Sequence, residues 1–181
     1  FPIEIVEKSS TFSVGNLQVQ AIPVSHDATE PIGLVVTHSA SGARAGIVYD
    51  LGFVSEAISA ALKDIEVLIL ESNHDEQMLR AGPYPFMVQA RIGGRMGHLS
   101  NRAAATTAAE CVHPGLKHIV LAHLSENCNE PKVALKTVGD ALRKTRFRGR
   151  LTTSAQHVAA GPFFVGADDV RRFPAQLALS L

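Results

Sequence analysis

Tryptophan is absent from the sequence, cysteine is nearly absent, and no long hydrophobic run occurs. The two cysteines, Cys111 and Cys128, are too few for a disulfide framework, so a reducing compartment is expected and the cytoplasm is the predicted location. No apolar stretch approaches the roughly 20 residues that a membrane-spanning helix needs. These absences argue against a disulfide-stapled scaffold and against a membrane partner.

The sequence also lacks an excess of either charge. It holds 17 Lys and Arg residues against 17 Asp and Glu residues, so its formal net charge is zero. This balance excludes a basic field over the whole surface, although it leaves room for a local basic groove. With 181 residues, 46% of them hydrophobic and 19% charged, the chain is expected to form one globular domain with a sizeable core.

The first half of the chain has the alternation of apolar and polar residues that is typical of strands. Four segments show it: IEIVE at 3–7, FSVGNLQVQAIPV at 12–24, IGLVVTHS at 32–39 and AGIVYDL at 45–51. Gly15-Asn16 in the second segment predicts a hairpin turn.

The second half alternates between strand and helix patterns. VLILE (67–71) and HIVLA (118–122) predict buried strands, and RLTTSA (150–155) and GPFFV (161–165) predict closing strands. Helical spacing or capping residues predict helices at 53–63, in parts of 74–95, from Ser100 or Asn101 to about Cys111, and from a cap at Asn129 to near Arg143. Together the patterns predict an α/β layered fold in which helices cover sheets.

Four predicted strands are followed by a side chain that can bind a metal ion or move a proton. These side chains are His26, Asp50, Glu71 (with His74 shortly after it) and His123. A single strand-end histidine is usually structural, but ligands of layered α/β proteins collect at the carboxyl ends of strands. Imidazole and carboxylate groups suit zinc or similar ions, so the recurrence predicts a metal site.

Three blocks of sequence carry a resemblance to a known family. They are GFVSEAI shortly after Tyr49-Asp50, ESNHDEQMLRAGPYPFMVQARIGGRMGHLSN at 71–101, and VLAHLSENCNEP at 120–131. In these blocks the chain resembles the metallo-β-lactamase-fold hydrolases of the YycJ/WalJ group, with ribonuclease Z as a more distant relative. The resemblance implies an αββα sandwich with a two-metal site at one edge, of which residues 1–181 would form a single, partial domain.

The resemblance also implies roles for four residues. His26 in SHDATEPIGLVV and His123 in AHLS match metal-binding histidines, and Asp50 in YDLG matches an aspartate that bridges two metal ions. His98 in GHLSN matches a histidine that lies near the scissile phosphate and assists proton transfer. Two divalent ions, with zinc favoured over manganese, and a 5′ to 3′ DNA exonuclease activity are implied for the complete protein, with DNA preferred to RNA as the partner.

One hallmark of the family is missing from the sequence. The family's HxHxDH motif supplies most of its metal ligands, yet the histidines stand at 26, 38, 74, 98, 113, 118, 123 and 157 and none forms this motif. In the family the motif precedes the segment that matches residues 1–25, and this chain begins with Phe1, so N-terminal truncation is expected. The chain alone is therefore expected to bind metal weakly or not at all.

Other polar residues in the matching blocks have two interpretations each. Glu71, Asn73 and His74 could orient the metal ligands or contact substrate, or they could cap a helix. Tyr84 in GPYPF could stack on a base or lie in a rigid turn. Arg91 could contact a phosphate or lie on a solvated helix face.

Three hypotheses for the function remain open. The leading one is a two-metal phosphodiesterase, a DNA exonuclease in its complete form. Because the fold hosts many chemistries, hydrolysis of a small ester, lactone or thioester is the second, and a catalytically incomplete fragment is the third. The basic stretch RKTRFRGR (143–150) is interpreted as a complement to a helix C-terminus rather than a nucleic-acid contact. The oligomeric state is left open.

Overall fold

The computed structural model of the chain describes residues 5–158 and 160–165. Its elements follow in the order β1 (Thr11–Val14), β2 (Leu17–Pro23), β3 (Ile32–His38), β4 (Arg44–Val48), α1 (Glu56–Ala61), β5 (Val67–Glu71), α2 (Glu76–Ala81), α3 (Phe86–Ile92), α4 (Asn101–Glu110), β6 (His118–Ala122), α5 (Pro131–Leu142) and β7 (Arg150–Thr153). The predicted α/β class is confirmed.

The seven strands form a single sheet in which each strand lies beside its neighbours in the chain. Strands β1 to β4 pair antiparallel, whereas β4 to β7 pair parallel. The parallel crossovers carry the helices, as parallel pairing requires. Since β2 runs in the same direction as β4, the carboxyl ends of β2, β4, β5 and β6 all reach the same edge of the sheet.

The core lies between one face of the sheet and helices α1, α4 and α5. Alternate residues of the central strands, such as Leu68 and Leu70 of β5 and Ile119 and Leu121 of β6, are fully buried against these helices. Small residues on α4 allow close packing, and α5 contributes its buried residues at a spacing of four: Ala134, Val138 and Leu142. The packed helices therefore hold the strand ends in a fixed arrangement.

Short local signals set the ends of several elements. Gly15 has φ +57° in the β1–β2 turn, a conformation that glycine adopts at little cost. Ser100 caps α4 because its hydroxyl accepts a hydrogen bond from the Ala103 amide, and Asp75 caps α2 in the same way through the amides of Gln77 and Met78. The predicted hairpin and the predicted cap at Ser100 are confirmed.

Four local predictions are wrong. Residues 5–7 of the first predicted strand and residues 161–165 of the last are not strands, because alternation alone does not show whether a partner strand is available. β4 ends at Val48 rather than residue 51, since Asp50 has a positive φ that a strand excludes. The N-cap of α5 is Glu130 and not Asn129, whose buried amide instead bonds the carbonyls of Ser72 and Asn73.

In the part of the chain that the structure describes, no helix has both the length and the apolar composition needed to cross a membrane.

Candidate metal and catalytic site

The carboxyl ends of the strands bring four of the predicted residues together. The ring centroid of His98 lies 4.9 Å from that of His26 and 5.1 Å from that of His123. Oδ1 of Asp50 lies 3.6 Å from Nδ1 of His98 and 3.3 Å from Nδ1 of His123. Residues that are 97 positions apart in the sequence thus share one small cluster at the edge of the sheet.

Two members of this cluster have a backbone conformation that is uncommon outside glycine. Asp50 follows β4 and His123 follows β6, and both have φ 56°. Non-glycine residues in this left-handed region are uncommon, although Asp and His adopt it more often than most. Because such conformations collect at functional sites, their recurrence at the ends of β4 and β6, on either side of β5, supports a functional role for this edge.

Glu71, the last residue of β5, is fully buried beneath the cluster. Its Oε1 accepts hydrogen bonds from Nδ1 of His98 at 2.8 Å and from Nδ1 of His123 at 2.7 Å. Its Oε2 accepts from the amides of Leu51 and Leu99, each at 3.0 Å. One carboxylate therefore ties together four segments of the chain and fixes the tautomer of two histidines, whose Nε2 atoms remain available.

The charge state of this carboxylate follows from its partners. Burial by itself would raise the pKa of Glu71, but the hydrogen bonds from His123, His98 and the two amides outweigh burial and lower the pKa to about 2. The hydrogen bond to Glu71 raises the pKa of His123, against the opposing effect of burial. Glu71 is thus ionised at neutral pH and stabilises positive charge on the imidazole above it.

His26 belongs to the loop after β2 and is held by the segment that precedes α4. Its Nδ1 donates to the carbonyl of Gly97 at 3.0 Å, and its Nε2 lies 3.5 Å from Oδ1 of Asp27. The amide of His98 bonds the carbonyl of Ile92, so the same segment also positions His98. Gly97 has to be glycine, because a Cβ there would overlap the carbonyls of Arg91 and Ile92.

Asn73 and His74 support the cluster without entering it. Nδ2 of Asn73 donates to the carbonyl of His123 at 2.9 Å and so steadies its left-handed backbone. His74 is buried and lines a small cavity beside His98, and burial lowers its pKa. Asp75, rather than either of these residues, provides the cap of α2.

Tyr84 and Arg91 lie around the cluster in different ways. Tyr84 lines the groove over His98 and His123, and its hydroxyl accepts a hydrogen bond from Asn127 at 3.0 Å. Arg91 does not line this groove; its guanidinium is paired with Asp27, the neighbour of His26. The side chain of Arg91 therefore links α3 to the loop that carries His26.

An open groove of about 1010 Å³ lies over His98 and His123. It also exposes residues that the sequence reasoning missed, among them Tyr49, Ser125 and Asn127. Tyr49 lies near His123, with ring centroids 6.3 Å apart. The Tyr-Asp pair at the end of β4 was a signal for Tyr49, since a residue beside a strand-end aspartate reaches the same edge.

The donor chemistry of the cluster fits a divalent cation. Asp50, Glu71, His98 and His123 each offer one ligand atom within 4.8 Å of the others, and carboxylate and imidazole groups are ligands of zinc and manganese. Glu71 already accepts four hydrogen bonds, so its position is that of a group that orients ligands. The cysteines do not contribute, because Cys128 is buried away from the cluster and burial raises the pKa of Cys111 to about 11.

The fold and this cluster define a class of protein, one with potential metal ligands at the carboxyl ends of an α/β sheet. The model of the family described as "Beta-lactamase superfamily domain" matches residues 1–124. The chain belongs to this family, which confirms the metallo-β-lactamase fold class that the sequence predicts.

Individual relatives agree with this assignment. Exodeoxyribonuclease YycJ of Bacillus anthracis is 35% identical over 133 residues, which are 74% of this chain and 50% of the relative. Exodeoxyribonuclease WalJ of Streptococcus pneumoniae serotype 2 is 29% identical over 138 residues, which are 76% of this chain and 51% of the relative. The predicted resemblance to the YycJ/WalJ group is confirmed, and the chain spans about half the length of these curated relatives.

Solved structures show the same fold at low sequence identity. The metallo-beta-lactamase fold protein YhfI from Bacillus subtilis superposes with a TM-score of 0.59 at 15% identity, covering 82% of this chain and 50% of that one. Zn(2+)-bound PqqB from Methylobacterium extorquens superposes with a TM-score of 0.52 at 18% identity, covering 82% of this chain and 48% of that one.

Proposed function

We propose that the cluster is the site of a metal-dependent hydrolysis of phosphodiesters, with DNA as the substrate. The names of the two curated relatives support nuclease chemistry, and the groove over the histidines is open enough to admit a polymer end. The proposal includes a 5′ to 3′ polarity, which follows from the resemblance to the YycJ/WalJ group.

The observation that carries the proposal is the bond of one buried carboxylate to two histidines. Glu71 accepts hydrogen bonds from the Nδ1 atoms of His98 and His123, which also face Oδ1 of Asp50, so Nε2 is the ring nitrogen that each histidine has left for another partner. A neutral imidazole with a free Nε2 is a metal ligand, whereas a protonated one donates a proton. Glu71 therefore positions one histidine that can bind a metal ion and one that can donate a proton.

We assign these roles as follows. His26, Asp50 and His123 would hold the divalent ions, with one histidine for each ion and the Asp50 carboxylate shared between them. When bound, such ions supply a water of lowered pKa and neutralise charge on the phosphate. His98 donates a proton from Nε2 to the leaving oxygen, and Glu71 orients the ring through its hydrogen bond with Nδ1.

The remaining residues position these groups. Asn73 holds the backbone of His123, and His74 packs behind His98. Tyr84 offers an aromatic face in the groove on which a base can stack. Arg91 acts through Asp27, which it holds beside His26.

A nuclease assay tests the proposal. The polypeptide translated from the whole reading frame, whatever its length, is incubated with end-labelled DNA and manganese or zinc, in parallel with its His98→Ala variant. The wild type should release nucleotides from the 5′ end, and the variant should do so about 10²- to 10⁴-fold more slowly, which is the range of general acid catalysis.

The control compares metal binding by the two proteins. His98→Ala should bind the ions as the wild type does, because the proposed ligands are His26, Asp50 and His123. Rapid hydrolysis of a small ester together with uncleaved single- and double-stranded DNA would contradict the proposal and support the small-ester hypothesis.

A further inference from the structure

A second concentration of charge lies where β6 and β7 begin, at the edge of the sheet opposite the groove. A depression of about 900 Å³ is lined there by four cationic side chains, which we call the basic cluster: Lys117, Arg146, Arg148 and Arg150. The five residues of β6 separate this edge from His123, a distance of about 16 Å at about 3.3 Å per residue.

The backbone around the cluster is fixed by close contacts. Phe147 packs against the hydrophobic core, so Arg146 and Arg148 on either side of it are exposed. The amide of Arg150 donates to the carbonyl of Lys117 at 2.8 Å. A Cβ at Gly149 would overlap that carbonyl, so glycine permits the approach of these two segments.

The C-terminus of α5 does not explain these cations, contrary to the expectation from the sequence. The last carbonyls of α5 accept hydrogen bonds from the amides of Arg143, Lys144 and Thr145 and from the Thr145 hydroxyl. The side chain of Arg143 pairs with Asp140. The basic side chains beyond Lys144 therefore do not serve this helix end, and Nη1 of Arg148 donates to the carbonyl of Phe147 at 2.9 Å.

The basic cluster is also poorly neutralised from within. Lys117 pairs with Glu66 at 2.7 Å, but Arg146, Arg148 and Arg150 form no ion pair with any residue in 5–158 or 160–165. Three exposed guanidinium groups on a chain of zero net charge are a local concentration, and their mutual repulsion favours a bound anion. The planar fork of arginine matches phosphate oxygens.

We propose that the basic cluster binds the phosphodiester backbone of the nucleic acid whose end lies in the groove. The choice of this polyanion rests on the proposed function. β7 is the edge strand between the two sites, and about 16 Å corresponds to about five base pairs along a duplex. The basic cluster thus binds the substrate at a distance from the cut end, and it increases the affinity for DNA without discriminating between base sequences.

The test is DNA binding without cleavage. Fluorescence anisotropy measures the affinity of the full chain for a labelled duplex of about 20 base pairs in EDTA, over a series of salt concentrations. The triple variant Arg146→Gln/Arg148→Gln/Arg150→Gln is compared with a control triple that removes three exposed lysines elsewhere: Lys8→Gln/Lys63→Gln/Lys132→Gln.

The cluster variant should bind at least tenfold more weakly at about 0.1 M salt, and its slope of log K against log salt should be shallower by about 2–3, since each phosphate contact contributes about 0.9. The control triple should bind within twofold of the wild type. Circular dichroism checks the fold, and the single variant Arg148→Glu, at an exposed position, gives the same answer if the triple variant fails to fold.

Unchanged DNA affinity in a folded cluster variant would overturn the proposal. So would lost binding to phosphatidylserine vesicles with unchanged DNA binding, because the cluster would then be a membrane contact. The binding assay contains no metal, so its result does not depend on catalysis. Absence of activity in the separate nuclease assay would contradict the proposed function and leave the result of the binding assay intact.

Discussion

The replacement Glu71→Gln isolates the hydrogen-bond acceptor beneath the candidate site. Glutamine keeps the shape of the side chain, but it has one acceptor oxygen and one donor amide where the carboxylate has two acceptors. In the wild type, Oε2 faces two backbone amides and Oε1 faces Nδ1 of His98 and of His123. If the amide oxygen of the introduced glutamine accepts from the two backbone amides, the NH₂ group faces Nδ1 of both histidines. Because this group donates, both Nδ1 atoms must accept, and the ring protons move to Nε2.

The structure sets the size of the expected effect. Lowering the pKa of Glu71 from 4.5 to about 2 corresponds to a stabilisation on the order of 3 kcal/mol at neutral pH. Because the folded-state pKa is depressed, this contribution is present above pH 4.5 and is lost as the pH falls toward 2. We therefore expect Glu71→Gln to lower the free energy of unfolding by about 2–4 kcal/mol at pH 7. The difference in free energy of unfolding between wild type and variant should become smaller in acid.

Urea denaturation in EDTA at several pH values measures this difference, with Glu76→Gln as the control. Glu76 pairs with Arg102 at the surface, and loss of such a pair changes stability by less than about 1 kcal/mol. Nitrogen NMR of the histidine rings should show the change of tautomer and a fall in the pKa of His123. Wild-type stability and unchanged tautomers in Glu71→Gln would refute the reasoning.

Three further predictions concern single groups. His98→Ala should leave metal affinity within twofold of wild type in a competition titration while lowering the DNA cleavage rate at least about 100-fold; an equal loss of both would place His98 among the ligands. Asp50→Asn should fold normally by thermal denaturation, because asparagine tolerates the left-handed backbone, but should lose metal binding; unchanged affinity would remove Asp50 from the ligand set. Gly97→Ala should be destabilised by more than about 2 kcal/mol in urea, because its methyl group overlaps the carbonyl of Ile92. As a control, Gly139→Ala in α5 should gain about 0.5–1 kcal/mol of stability. Unchanged stability of Gly97→Ala would show that the contact with Ile92 relaxes.

The sequence predicts most of the fold because its periodic signals are strong. VLILE and HIVLA become β5 and β6 with the predicted bounds, and the Gly15-Asn16 turn forms the predicted hairpin. The failures occur where a segment depends on distant partners. GPFFV lacks the alternation of apolar and polar residues that is typical of strands, and among the described residues it has no neighbouring strand.

The candidate site could be predicted in part for a similar reason. His26, Asp50 and His123 follow strands, so the direction of the strands brings them to one edge. The bond of Glu71 to two histidines could not be predicted, because it depends on the register of β5 against β6 and on where the α4 segment returns. The sequence shows only that a glutamate ends the apolar run VLILE, which points to a buried carboxylate that needs partners but does not identify them.

The most direct test of the account is a zinc titration of the chain followed by nitrogen NMR of its histidine rings. At millimolar protein concentration even weak binding moves the ligand resonances. Nε2 of His26 and His123 should shift with added zinc, while Nε2 of His98 should not, and the Nδ1 atoms held by Glu71 should keep their protons. A shift of His98 Nε2 equal to theirs, or a resonance of His123 that does not move, would contradict the account.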